Sequence, residues 1–188
     1  NLFLLSDEVY DGIVFDRQHI SPLSFNYPNT ISVFSFSKSY AMTGWRVGYT
    51  VVNKEMSPIL NKLLETTVAC TSSISQMAAE AAITSPQEFV ENMKELYKNR
   101  RDKVIQILQD ENVDFVKPDG AFYILLNISD TGVDGNDFAK IAIEKERVAV
   151  APGNTFGPST RNFVRISLAT AEEDLLEGVK RLVRLIKD

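Results

Sequence analysis

Lys38 lies in Ser35-Phe36-Ser37-Lys38-Ser39, directly after the apolar run Ile31 to Phe34. A lysine amine condenses with an aldehyde to form a Schiff base. Two serine hydroxyls, Ser35 and Ser37, precede it, and Arg46 follows in Gly44-Trp45-Arg46-Val47-Gly48. Hydroxyls and a planar guanidinium both bind phosphate. A reactive amine beside an anion site fits a cofactor bearing an aldehyde and a phosphate, and pyridoxal 5'-phosphate is that cofactor. A lone lysine after a strand is ordinarily a solvated charge; its neighbours distinguish this one.

Asp7 and Tyr10 follow another apolar run, Leu2 to Leu5. Ligands of open α/β sheets collect at the carboxyl ends of the strands. Asp7, Tyr10 and Lys38 are therefore expected to converge on one crevice. A carboxylate there keeps a pyridinium nitrogen protonated, and a phenol bonds the ring hydroxyl oxygen. Taken singly, Asp7-Glu8 reads as an acidic turn and Tyr10 as a core aromatic. Arg165, between Val164 and Ile166, is a charge among apolar neighbours and calls for an anionic partner. The alternative is an edge-strand arginine that reaches solvent. His19, the single histidine, reads as a surface residue or a satisfied loop residue, because it lies in a polar loop and no metal-ligand cluster accompanies it. No Ser-His-Asp or Cys-His set is evident.

These residues need a sheet to position them. Leu2–Leu5 and Ile31–Phe34 read as strands buried in a parallel sheet, and 45–52 reads as a third strand. A helix starts at Ser57-Pro58, with Ser57 as its cap. A second covers 75–83. A long third one opens at Ser85-Pro86-Gln87-Glu88 and runs to about Gln109. Strands are expected over 113–116, 121–128, 148–151 and 163–169, and helices over 136–145 and from Thr170-Ala171-Glu172-Glu173 to Ile186. The pattern is α/β followed by α+β. Two domains are expected, at 1–84 and 85–188.

Composition narrows the function classes. The chain has 188 residues, 44% of them hydrophobic, and a net charge of -5. That permits a packed core. No basic block suggests nucleic acid, no apolar run matches a membrane span, and no signal-peptide pattern is present. One cysteine, Cys70, excludes an internal disulfide and fits a reducing cytoplasm. The chain begins without Met and in an apparent strand, so it is expected to be part of a longer protein.

The same residues carry a family resemblance. Asp7-Glu8-Val9-Tyr10, Ser35-Phe36-Ser37-Lys38 and Gly44-Trp45-Arg46-Val47-Gly48 resemble the pyridoxal phosphate-dependent aminotransferases of class I/II, fold type I. The resemblance continues in Pro118-Asp119-Gly120-Ala121-Phe122-Tyr123, in Pro152-Gly153-Asn154-Thr155-Phe156-Gly157 and in Asn162-Phe163-Val164-Arg165-Ile166-Ser167. Each motif is weak alone; their shared order along the whole chain makes chance agreement implausible. It implies the C-terminal part of a large pyridoxal phosphate-binding α/β/α domain over 1–84. An interdomain helix and a small α+β domain follow over 85–188.

The resemblance also implies roles. Lys38 forms the Schiff base and shuttles the substrate α-proton. Asp7 pairs with the pyridine nitrogen and Tyr10 contacts the ring oxygen. Ser35, Ser37 and Arg46 bind the phosphate, and Arg165 grips the substrate carboxylate. The side-chain pocket includes Tyr123 and residues near Asn154 to Phe156. The family transfers an amino group from an amino acid to a 2-oxo acid, commonly in biosynthesis, as a cytoplasmic homodimer. Its glycine-containing phosphate loop, ring-stacking aromatic and ring-binding asparagine are not in these residues. The chain alone is therefore expected to be weakly active or inactive. A lyase breaking a C–S bond or performing β-elimination uses the same cofactor. An effector-sensing regulator domain is the non-enzymatic alternative.

Overall fold

A computed structural model of the chain describes residues 2–187. It divides into two compact units, 1–94 and 95–188. The boundary falls inside one long helix.

The first unit holds a three-stranded sheet. β1 (Leu4–Asp7) pairs in parallel with β2 (Thr30–Ser35), and β2 pairs antiparallel with β3 (Gly48–Val51). In the parallel register Leu5 faces Ile31 and Asp7 faces Val33. Because side chains alternate along a strand, Leu5, Asp7, Ile31, Val33 and Ser35 share one face. Thr30 and Ser32 on the other are buried. A single helical turn, α1 (Phe36–Ser39), follows β2 directly. Helices α2 (Ser57–Thr67), α3 (Ser73–Thr84) and the start of α4 (Glu88–Asp110) complete the unit. Its buried apolar cluster is small: Phe36, Val47 and Ala79.

Three expectations for this unit change. The strand expected over residues 2–5 runs instead over Leu4–Asp7, and Leu5 is 69% exposed rather than buried, because β1 is an edge of the three-stranded sheet. The strand expected over 45–52 shrinks to Gly48–Val51, since Thr43–Trp45 forms a 3-10 turn and Arg46 adopts a left-handed conformation (φ 51°). A β propensity sum cannot register that single residue. Finally, Ser57 lies inside α2 and caps nothing; the chain enters through Met56, whose N–H donates to Asn53 Oδ1 at 2.8 Å.

The second unit packs the remainder of α4 and α6 (Glu172–Lys187) on a four-stranded antiparallel sheet. Its strands are β4 (Phe115–Val116), β5 (Tyr123–Asn127), β6 (Ala151–Pro152) and β7 (Phe163–Ser167), in the order β4-β5-β7-β6. Ile124 and Leu126 of β5 and Val164 and Ile166 of β7 point into the core. Leu175, Val179, Leu182 and Val183 come from α6 at helical spacing, and Val104 and Leu108 from α4. Each fully buried aliphatic side chain contributes about 1.5–3 kcal/mol. The three acids that open α6 and Arg184 and Lys187 near its end suit the helix dipole. The strand expected over 148–151 moves to Ala151–Pro152. α5 (Gly135–Ile141) passes into a π turn over Ala142–Glu146.

Among the described residues, no helix is long and apolar enough to cross a membrane.

Candidate active site

β1 and β2 run side by side in the same direction, so their carboxyl ends lie at one sheet edge. Asp7 closes β1 there, and its Oδ1 accepts from the N–H of Val9 at 3.3 Å. Tyr10 is half-buried in the following turn, where its carbonyl accepts from the N–H of Ile13 at 2.9 Å. Lys38 leaves the same edge from α1, also half-buried. Ser35 is the N-cap of that turn, and its Oγ accepts from Ser37 N–H at 3.1 Å. The hydroxyl thus satisfies a backbone group that a helix start leaves orphaned.

Ser35, Ser37 and Arg46 line one open pocket of about 730 Å³, with Val33 of β2 and Leu60 of α2 among the other walls. That volume lies within the roughly 300–1,000 Å³ usual for small-molecule sites. Arg46 is the single charged side chain among the lining residues. Its Nη1 donates to Thr43 O at 2.8 Å, which steadies the guanidinium in its left-handed turn. Two residues later a Cβ on Gly48 would stand 2.5 Å from Phe34 O, so only glycine admits this approach of β3 to β2. Two hydroxyls and one guanidinium without an opposing carboxylate are a donor set for a dianion. These residues therefore fit the phosphate of the expected cofactor.

Two residues outside the expected set order this edge. Glu8 is 3% exposed. Its carboxylate accepts from His19 Nε2 at 2.8 Å and Ser21 Oγ at 2.9 Å. Burial alone would raise the Glu8 carboxyl, but Ser32, His19 and Ser21, with the His19 charge, hold it below its ordinary value. The Ser32 hydroxyl approaches in a geometry too poor for a full hydrogen bond, so the two short bonds weigh more. Asp11 is the second: its Oδ1 accepts from Ser39 Oγ at 2.9 Å and from Gly12 N–H at 2.8 Å. Neither was legible, because sequence distances of 11 to 28 residues follow no local period. Of the two readings for His19, surface or satisfied loop residue, the structure shows the second, with Glu8 as its partner.

Arg165 belongs to the second unit. On β7 it stands on the sheet face opposite the core, beside Leu125 and Ala151. Its guanidinium carbon lies 4.0 Å from the centroid of the Tyr123 ring and 4.4 Å from that of Phe156. Among the described residues, two π faces stand where its apolar neighbours call for an anionic partner. With Val116, Pro118 and Leu125 these three residues line a pocket of about 260 Å³. Phe156 comes from a pinned loop: Asn154 Nδ2 donates to Asp134 Oδ2 at 3.2 Å and Thr160 Oγ1 to Gly153 O at 2.8 Å.

Asp7 ends β1 and Ser35 ends the neighbouring parallel β2, and Ser35, Ser37 and Arg46 line one pocket. The chain matches Aminotransferase class I and II over residues 1–182 and belongs to that family. It is 39% identical over 97% of its length to the probable N-acetyl-LL-diaminopimelate aminotransferase of Bacillus subtilis, of which it covers 46%. It is 43% identical over 93% of its length to the probable aspartate aminotransferase of Methanocaldococcus jannaschii, covering 47% of that protein. Among solved structures it is similar to an aromatic aminotransferase from Pyrococcus horikoshii, with a TM-score of 0.93 and 37% identity over 99% of this chain and 51% of that one. The fold is that of the fold type I aminotransferases, as the sequence resemblance implies. The chain spans about half the length of the curated relatives it matches.

Proposed function

We propose that this chain carries the lysine-bearing part of an aminotransferase that moves an amino group from an L-amino acid to a 2-oxo acid with pyridoxal 5'-phosphate. The observation that carries the reading is the shared lining of one pocket by Ser35, Ser37 and Arg46, next in sequence to Lys38 at the edge where Asp7 ends β1. When bound, the cofactor supplies an aldehyde and an electron-withdrawing ring. Lys38 would hold the cofactor through its Nζ amine, and the same amine would take up the substrate α-proton. Asp7 holds a proton on the ring nitrogen by its charge, and Tyr10 orients the ring oxygen. Ser35, Ser37 and Arg46 bind the phosphate. Arg165 takes the substrate carboxylate through N–H groups at the edge of its stacked guanidinium.

In this reading 1–84 is the C-terminal part of the cofactor-binding domain, and 85–188 contains the interdomain helix and the small domain. The exposed Leu2, Phe3, Leu5, Ile59 and Met77 support a longer protein whose further residues, and a second copy in a homodimer, cover this apolar surface. Residues 1–188 alone then turn over amino acids weakly or not at all. Cys70 as an exposed free thiol supports a reducing, cytoplasmic compartment.

The test is borohydride reduction of the chain mixed with pyridoxal 5'-phosphate, followed by peptide mass spectrometry. A pyridoxyl group on Lys38, lost in Lys38→Ala, is expected. Labelling spread over surface lysines and unchanged by that substitution would count against the reading. Brisk transamination by the isolated chain would remove the claim of weak activity.

A further inference from the structure

Asp11 directly follows Tyr10, and Ser39 directly follows Lys38. The two are bonded to each other although 28 residues apart: Ser39 Oγ donates to Asp11 Oδ1 at 2.9 Å. Gly12 closes the ring, its N–H lying 2.8 Å from Asp11 Oδ1 and 3.2 Å from Ser39 Oγ. We propose that Asp11 and Ser39 are positioning residues, a clasp that sets the Tyr10 turn against the Lys38 turn and so fixes the phenol relative to the amine. The inference rests on the pyridoxal phosphate reading of Lys38 and Tyr10.

Several observations separate this bond from an incidental polar contact. Ser39 is 3% exposed, so its hydroxyl has little access to water as a substitute partner. A hydroxyl bonded to an ionised carboxylate is stronger than a neutral pair. Position 12 is shaped to admit it: a Cβ there would meet Ser39 Oγ at 2.8 Å and Ser39 Cβ at 2.9 Å. The Tyr10 turn is closed on both sides, by Asp11 N–H to Glu8 O at 3.1 Å and Ile13 N–H to Tyr10 O at 2.9 Å. The first element of that turn is itself anchored to β2, where Glu8 N–H donates to Val33 O at 2.8 Å. Movement at Asp11 is therefore transmitted to Tyr10 rather than absorbed by a loose loop. The Asp11 charge is also felt across the site: burial first, and Asp11 after it, push the Tyr40 and Tyr49 phenols up.

The consequence is electronic as well as steric. A donor placed on the ring oxygen favours its ionised form, and its displacement favours the protonated one. The experiment titrates the absorbance of the Lys38-bound cofactor in the wild type, Ser39→Ala, Ser39→Thr and Asp11→Asn. Melting of the cofactor-free proteins verifies their folds. Ser39→Ala is expected to raise the titration midpoint by roughly half a unit or more and to weaken cofactor retention. Ser39→Thr keeps the hydroxyl and restores the midpoint. Asp11→Asn keeps the shape, weakens the bond and moves the midpoint the same way by less, which secures the test if Ser39→Ala does not fold. Wild-type trapping at Lys38 with the same midpoint in folded Ser39→Ala and Asp11→Asn overturns the clasp alone. Absence of any trapped cofactor in the wild type overturns the site reading and the clasp with it.

Discussion

The guanidinium of Arg165 lies against the rings of both Tyr123 and Phe156, at 4.0 and 4.4 Å from their centroids. Among the described residues no carboxylate pairs with it. Both ring faces stabilise the guanidinium charge by cation–π contact. Cation–π pairing of this kind contributes about 0.5–2 kcal/mol per ring. In the cofactor-loaded protein, Phe156→Leu is expected to weaken amino-acid binding by roughly two- to thirtyfold. Arg165→Lys, which loses the planar fork, should weaken it by at least about tenfold. Spectral titration with the amino acid checks both, and unchanged affinity in Arg165→Lys would remove Arg165 from the substrate site.

Arg46 is the single charged side chain in the lining of its pocket. Replacing it by lysine keeps the charge but loses the fork and the bond to Thr43 O. Retention of pyridoxal 5'-phosphate is expected to fall by about tenfold, equivalent to about 1.4 kcal/mol. Pyridoxal, which has no phosphate, should bind both forms alike. Equal losses for the two ligands would show that Arg46 acts on the fold and not on the phosphate.

Glu8 links stability to pH. Its carboxyl is held below the ordinary value of 4.5 in the folded chain, so the unfolded chain takes up the proton first. Its contribution is fully present above that value and is lost as pH falls through the folded one. Glu8→Gln leaves His19 and Ser21 with a poorer acceptor and should cost about 1–3 kcal/mol at neutral pH. Urea unfolding at pH 7 and pH 4 tests the sign: the gap between wild type and variant narrows at the lower pH.

Gly153 holds the loop that presents Phe156. A Cβ there would fall 1.9 Å from Thr160 O and 2.5 Å from Phe163 O, both backbone atoms that cannot rotate away. Gly153→Ala is expected to destabilise the protein by more than about 2 kcal/mol. Chemical denaturation measures it, and a change below about 0.5 kcal/mol, the range of surface substitutions, would contradict the packing described.

Much of the element order was legible. Helices α3, α4 and α6 and strands β2 and β7 carry strong local periods, and their ends fall within a few residues of expectation. The failures are local backbone events. Left-handed Arg46 shortens β3, and Asn53 displaces Ser57 as the partner of the α2 start. Both depend on one dihedral or one side-chain bond, to which a propensity window is blind.

For the site, the sequence by itself determined chemical identity: an amine, two hydroxyls and a guanidinium in one stretch, an acid and a phenol after another, and an arginine inside a strand. Those inferences rest on functional-group chemistry and short spacing, which need no coordinates. Only the tertiary structure decided the register of the expected parallel pair, with Leu5 opposite Ile31 and Asp7 opposite Val33. It also decided that Arg165 is satisfied by two rings instead of a carboxylate, and that Asp11 reaches Ser39. The physical reason is range: partners 28 to 42 residues apart meet only because strand pairing and packing bring their segments together.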